Sequence, residues 1–234
     1  MDSVKVSVEP KVAEPVAVKV GDALPMASLL KPTSQTFRMI LAQAGQEREI
    51  GSTQTVVTET TVNGAAAFMI VQTLSSPMIG TGTDTVVVSK ATLAPIRERS
   101  TNARRTLSLD FDGPRVRGTI KPAMDTAQRV SVDAKEPMFH SAALGLLIRA
   151  LPLADGYAVK IPAYAHEAGG AITVTSRVIA SSPEKLSDGR TVDAWVVETD
   201  IAGQKVKSYI AKDSRELVRT VLVAAPGVEV RMTP

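Results

Sequence analysis

The sequence predicts a mainly β fold: an unclosed antiparallel half-barrel of about ten or eleven strands wrapped around one buried helix, residues 138–151. Three observations lead to a strand-rich sheet curled around a helix. The stretch MFHSAALGLLIRAL, Met138 to Leu151, is apolar nearly all round, broken only by His140, Ser141 and Arg149. A helix with no polar face must be surrounded by protein, and this one is too short for a bilayer, which takes about 20 residues. The remainder of the chain is strand and turn in succession, a meander rather than a βαβ series. A lone buried helix among strands in turn requires a sheet that curls around it.

Composition narrows the function classes. Apolar residues make up 44% of the 234 residues but aromatics only 3%, so the core is built from aliphatic side chains and Met. Few aromatics argue against recognition of single-stranded nucleic acid by stacking. The net charge of +3, from 27 basic and 24 acidic residues, is a mild surplus spread along the chain, unlike the concentrated charge of nucleic-acid binders. The chain has no cysteine, which excludes disulfides and thiolate metal sites. Met1-Asp2-Ser3 leads into a polar, Val-rich stretch with no apolar signal core, so an exported protein would carry its signal ahead of this numbering.

In chain order, residues 1–33 stand apart. Pro10, Pro15, Pro25 and Pro32 punctuate alternating Val and charge, forbidding a long helix and demoting any strand to an edge. This segment is expected to be a linker or extended arm, dispensable for stability, with an edge strand at Val16 to Val20 as the alternative. Residues 34–234 are expected to form a single half-barrel domain.

Asn63-Gly64 marks a hairpin turn between TQTVVTETTV and AAAFMIVQTL. Asp112-Gly113 marks another, for which folding about the turn opposes Leu109 to Val116 and Asp110 to Arg115. Further segments alternate cleanly, with Ile172, Val174 and Val178, then Val228, Val230 and Met232, facing inward. In AWVVETDIAGQKVKSYIA a four-residue loop opposes Val197 to Val206 and Glu198 to Lys205, which turns Trp195 inward. The helix is bounded by Pro137 and Pro152, and Gly145 inside it suits a site where a backbone or ligand comes close, tight packing being the plainer reason.

Catalytic and metal signatures are missing. His166-Glu167 begins like a zinc-protease motif, but Gly170 occupies the second histidine position. Gly80 to Thr85 lacks the third glycine of a dinucleotide loop and suits a turn, and Ser141 has no G-x-S-x-G surroundings. No catalytic residue, metal ligand or cofactor is therefore assigned. Arg115 and Arg117 share an outward face and could meet an anionic headgroup or acidic partner, although a charge-protected β surface is the better account of them. Arg149 either satisfies the helix C-terminus, snorkels to the rim or faces a ligand.

The segments LLIRALPLADGYAVKIP, DGRTVDAWVVE and SYIAKDSRELVRTVLV resemble a bacterial envelope family of unknown function, akin in fold to the periplasmic lipoprotein carriers of the Lol system. Arg149, Pro152, Gly156 and Gly189 match its pattern; Ser208 and Asp213 match loosely, and Val218 stands where a proline belongs. The resemblance implies export to the periplasm, an open barrel around a helix, a hollow able to hold acyl chains, and no catalytic residues. The sequence expectation is thus a non-enzymatic envelope protein that binds or carries a lipid or other apolar ligand, with a plugged scaffold module for an envelope protein partner as the alternative. Phe68, Ile70, Phe139, Leu144, Ile148 and Trp195 are the expected lining, with Arg115, Arg117 and Arg149 at the rim. Neither nucleic acid nor a transmembrane segment is expected.

Overall fold

The structure is a computed structural model that describes residues 14–78, 80–186 and 188–234. Expectations for residues 1–13 lie outside the described part. A two-residue strand β1 (Val16–Ala17) precedes a meander of β2 (Thr33–Gln43), β3 (Gln46–Val62), β4 (Ala65–Ser76), β5 (Gly80–Ser89), β6 (Pro95–Asn102), β7 (Arg105–Asp112), β8 (Arg115–Pro122) and β9 (Gln128–Asp133). Next come β10 (Phe139–His140) and the helix α1 (Leu144–Arg149). A second meander follows: β11 (Ala158–Ala165), β12 (Gly170–Lys185), β13 (Thr191–Ile201), β14 (Gln204–Ala211), β15 (Leu217–Ala225) and β16 (Val228–Thr233).

All sixteen strands of the described residues belong to one sheet, in the order β1-β11-β12-β13-β14-β15-β16-β2-β3-β4-β5-β6-β7-β8-β9, with β10 beside β11. The mainly β class and the open sheet match expectation, but sixteen strands replace ten or eleven. The excess has a physical source: β5 and β6 carry Thr, Ser, Asp and Arg on both faces, so periodicity hides them, yet hairpin neighbours still close their ladders. Gly80 to Thr85 likewise lies in strand β5 and not in a turn.

The sheet curls because glycine permits it at two crowded points. Gly51, at φ +146° beside a register shift, would set a Cβ 2.2 Å from the Ser75 carbonyl, and a Cβ on Gly118 would fall 1.9 Å from that of Ser108. Curling brings β9 round towards β10 and β11 without hydrogen bonds between them. The seam is filled by side chains: Met138, Tyr164, Val130 and Val132 pack in one cluster, and Arg105 reaches across to ion-pair with Glu167.

The expected helix is much shorter than 138–151. Phe139 and His140 extend to pair in parallel with Ala163 and Tyr164, and the His140 imidazole then accepts a hydrogen bond from the Ala142 N–H at 3.1 Å, starting one 3-10 turn before α1. Burial holds nonetheless. From Met138 to Leu151 every residue is buried or half-buried except Gly145, which is exposed.

Two hairpins shift from their expected registers. Gly113 at φ +58° and Pro114 form the central pair of the β7–β8 turn, a II′-type arrangement, so Phe111 opposes Val116 and Asp110 opposes Arg117. Ala202 and Gly203, both at positive φ, turn β13 into β14, so Val197 opposes Ser208 and Glu198 opposes Lys207. Each shift moves the partner by two positions, which preserves the face of every side chain. The turn at Asn63-Gly64 is as expected.

The arm is docked along its described length. β1 pairs in parallel with β11, Val18, Leu24 and Leu30 are buried in the main core, and the Met26 N–H donates to the Ala150 carbonyl below the helix. Prolines interrupt its ladder but not its packing, so the expected dispensability does not extend to residues 14–33. Deleting residues 1–32 removes the buried side chains of Val18, Leu24 and Leu30, whose burial contributes about 1.5–3 kcal/mol each. At about 2–4 °C per kcal/mol, the melting temperature measured by circular dichroism should fall by roughly 10 °C or more. Leu147 is fully buried. Leu147→Asp leaves an unpaired charge there, costing on the order of several kcal/mol, and the same measurement should show a loss at least as large.

Candidate functional site

A six-residue helix cannot fill the concave face, and what it leaves is an open hollow. One part, about 650 Å³ counting its mouth, lies between α1 and the inner faces of β2, β3, β4, β14 and β15, lined by Phe37, Val57, Ile70, Leu146, Ile148, Arg149, Ile210 and others. A second part, about 970 Å³ on the same measure, lies at the start of the helix. The two share Gln72, Ala142, Gly145, Ile148 and Ser208, so they adjoin at Gly145. A Cβ there would meet nothing within 4 Å. The glycine therefore opens space instead of admitting close packing.

Strand alternation grades the lining from apolar to polar. Along β4 the inward positions are Phe68, Ile70 and Gln72, and the residues opposite them on β5 are Val88, Val86 and Asp84. Phe68 and Val88 are sealed in the core, whereas Gln72 and Asp84 face the second part of the hollow. Glu98, His140, Glu167 and Thr199 join them there.

Glu98 and His140 are both buried and in contact, Oε2 to Nε2, at 3.0 Å. Because the His140 Nδ1 accepts from Ala142, the neutral ring carries its proton on Nε2, facing Glu98. The contact lacks hydrogen-bond alignment, so both atoms remain unsatisfied among the described residues. Phe111 stands edge-on to His140 and to Tyr164, with ring centroids 5.6 and 5.5 Å away. Burial first, then the negative charges of Glu98 and Glu167, push the Tyr164 phenol up to about 12, against the opposing effect of Arg105.

At the other end of α1, Arg149 is 8% exposed and lines the first part of the hollow. Its Nε donates to the Arg215 carbonyl, and the Arg215 Nη1 donates to the Leu151 carbonyl at 3.2 Å. This interlock ties the end of the helix to the turn between β14 and β15. Burial lowers the Arg149 pKa, with the Glu216 charge opposing.

Of the residues expected to line the hollow, Ile70, Leu144 and Ile148 do so. Phe68 and Phe139 are fully buried core. Trp195 packs on the core beside Ile210, with the Lys212 ammonium 4.2 Å from its ring centre. Arg115 and Arg117 are not a free basic patch: they pair with Asp112 at 2.7 Å and Asp133 at 2.5 Å. Their neutralised outward face offers little to an anion. Sequence reasoning missed Gln72, Asp84 and Glu98, although the spacings F-x-I-x-Q and D-x-V-x-V already placed a polar residue on an inward row.

Among the described residues no helix is long and apolar enough to cross a membrane, and no three His, Asp or Glu side chains gather as a metal site. For Tyr164 the folded pKa lies above its ordinary value of 10. Between about pH 10 and 12 the folded state keeps a proton that the unfolded chain releases, so this contribution is complete below pH 10 and lost as pH rises towards 12. Urea unfolding across that window should show a steeper fall in stability for the parent than for Tyr164→Phe.

No curated protein matches the chain. The crystal structure of a beta-barrel-like protein of domain of unknown function DUF1849, from Brucella abortus, matches with a TM-score of 0.55 at 6% identity, covering 86% of this chain and 94% of that one. At this identity the likeness concerns the fold alone. Residues 36–233 match the family described as Protein of unknown function (DUF3108), and with most of its length matched the chain belongs to that family.

Proposed function

We propose that this protein binds and carries a lipid or other apolar ligand in the hollow beside α1, without a chemical step. The observation that carries the reading is Gly145: the one exposed residue in an otherwise buried helical segment borders empty space on a largely aliphatic lining. The resemblance to Lol-type carriers supports an acyl ligand and a location in the bacterial envelope after export.

Gly145 also supplies the test. Its backbone is helical and its surroundings are open, so Gly145→Leu gains roughly 1 kcal/mol of helix propensity while filling the junction between the two parts of the hollow. Native mass spectrometry with dodecanol should give a saturable one-to-one adduct with the parent and none with Gly145→Leu, whose melting temperature stays equal or higher. Trp195, next to Ile210 on the lining, should report the same binding by a saturable emission change. A parent that takes no dodecanol and shows flat emission is instead a scaffold with a plugged hollow.

A further inference from the structure

We infer that Arg149 is the seat of an anionic headgroup, making the natural ligand an acidic amphiphile whose carboxylate or phosphate binds the guanidinium while its chain runs along α1. The inference rests on the apolar-ligand reading above and names the ligand's chemical class.

An arginine cannot shed its charge, and a buried charge is ordinarily paired with a carboxylate. Arg149 is nine-tenths buried, yet among the described residues no carboxylate forms an ion pair with it. Only its Nε donates, to the Arg215 carbonyl. Its two Nη groups have no hydrogen-bond partner among the described residues and keep some accessible surface, on a side chain that lines the first part of the hollow. Glu216 is near enough to act on the guanidinium through its field, but it is exposed and forms no ion pair there.

The bond at Nε fixes the plane of the guanidinium and leaves the paired Nη donors free, the geometry that a two-oxygen anion accepts. Around it Ile148, Leu146 and Ile210 supply apolar wall, and Thr33, Gln35 and Ser208 supply hydroxyl and amide groups. The carboxylates facing the hollow, Asp84, Glu98 and Glu167, all lie in the other part, beyond Gly145. Charge thus assigns an anionic headgroup to the Arg149 end and excludes it from the opposite one. The outward Arg115 and Arg117 are ion-paired, whereas Arg149 faces the hollow without a carboxylate partner among the described residues.

The test compares laurate, dodecyl phosphate and dodecanol, which share a chain and differ in headgroup, by calorimetric titration of the full chain below their micellar concentrations. At least one of the anions should bind about tenfold or more tightly than the alcohol, the gain expected of a charge-assisted bidentate contact. Whichever anion shows the gain identifies a carboxylate or a phosphate as the headgroup. Arg149→Met should reduce the anions to the alcohol's affinity with dodecanol binding unchanged, and Arg149→Lys should keep part of the preference. If dodecanol binds as tightly as both anions to the parent, the anion seat is overturned while the apolar hollow stands. If none of the three binds, the carrier reading fails and takes the seat with it. The parent comparison decides the matter even if Arg149→Met, which keeps no bond to Arg215, does not fold.

Discussion

A mismatch of length governs this structure. The sheet presents strands such as β13, with eleven residues, or about 36 Å of extended chain, while α1 has six residues and covers about 9 Å. A concave sheet face that size must be covered by something. The docked arm accounts for one end, Phe68, Phe139 and Leu147 for the middle, and the rest stays as a hollow whose lining turns polar where helix and core give out. The gradient from Phe68 through Ile70 to Gln72 is the same mismatch written along a single strand.

Sequence patterning carried the class and the buried central segment, because both rest on short-range periodicity, while the open sheet was implied by the family resemblance. It failed where the deciding contact was distant. Met138 to His140 is as apolar as the helix that follows, and only the parallel pairing with β11, together with the imidazole cap on Ala142, makes it extended. The turns at Gly113-Pro114 and Ala202-Gly203 each lie one residue beyond the expected centre. Since the resulting shift is even, Leu109, Val116, Trp195 and Val197 kept their inward faces despite the wrong partners. Phe68 and Phe139 show the other limit: an apolar inward residue looks the same in sequence whether it lines a space or fills one. What separates the two is how far along the strand α1 reaches.

The buried polar groups divide by their relation to the backbone. Ser176 and Thr199 satisfy one another at 2.9 Å across β12 and β13, and Arg215 spends a donor on the Leu151 carbonyl. Glu98, His140 and Arg149 keep capacity that the described chain does not use. Unused polar capacity in a folded interior is costly, and besides Glu98 and His140 on the wall of the hollow, Ser100, Arg105, Arg177 and Arg215 each keep one unpartnered buried atom among the described residues.

Nearly every ladder in the sheet joins strands that are neighbours in sequence, the exception of consequence being β16 with β2, where Thr233 opposes Arg38 and Val228 opposes Gln43. Both meanders can zip locally, one hairpin after another, but this junction unites the two extremes of the sheet-forming chain and has no turn to set its register. Closing so large a loop is entropically unfavourable, so this pairing is expected to form after the local hairpins. The first long strand and the last thus lie side by side at an interior rung of an open sheet whose outer strands are β1 and β9.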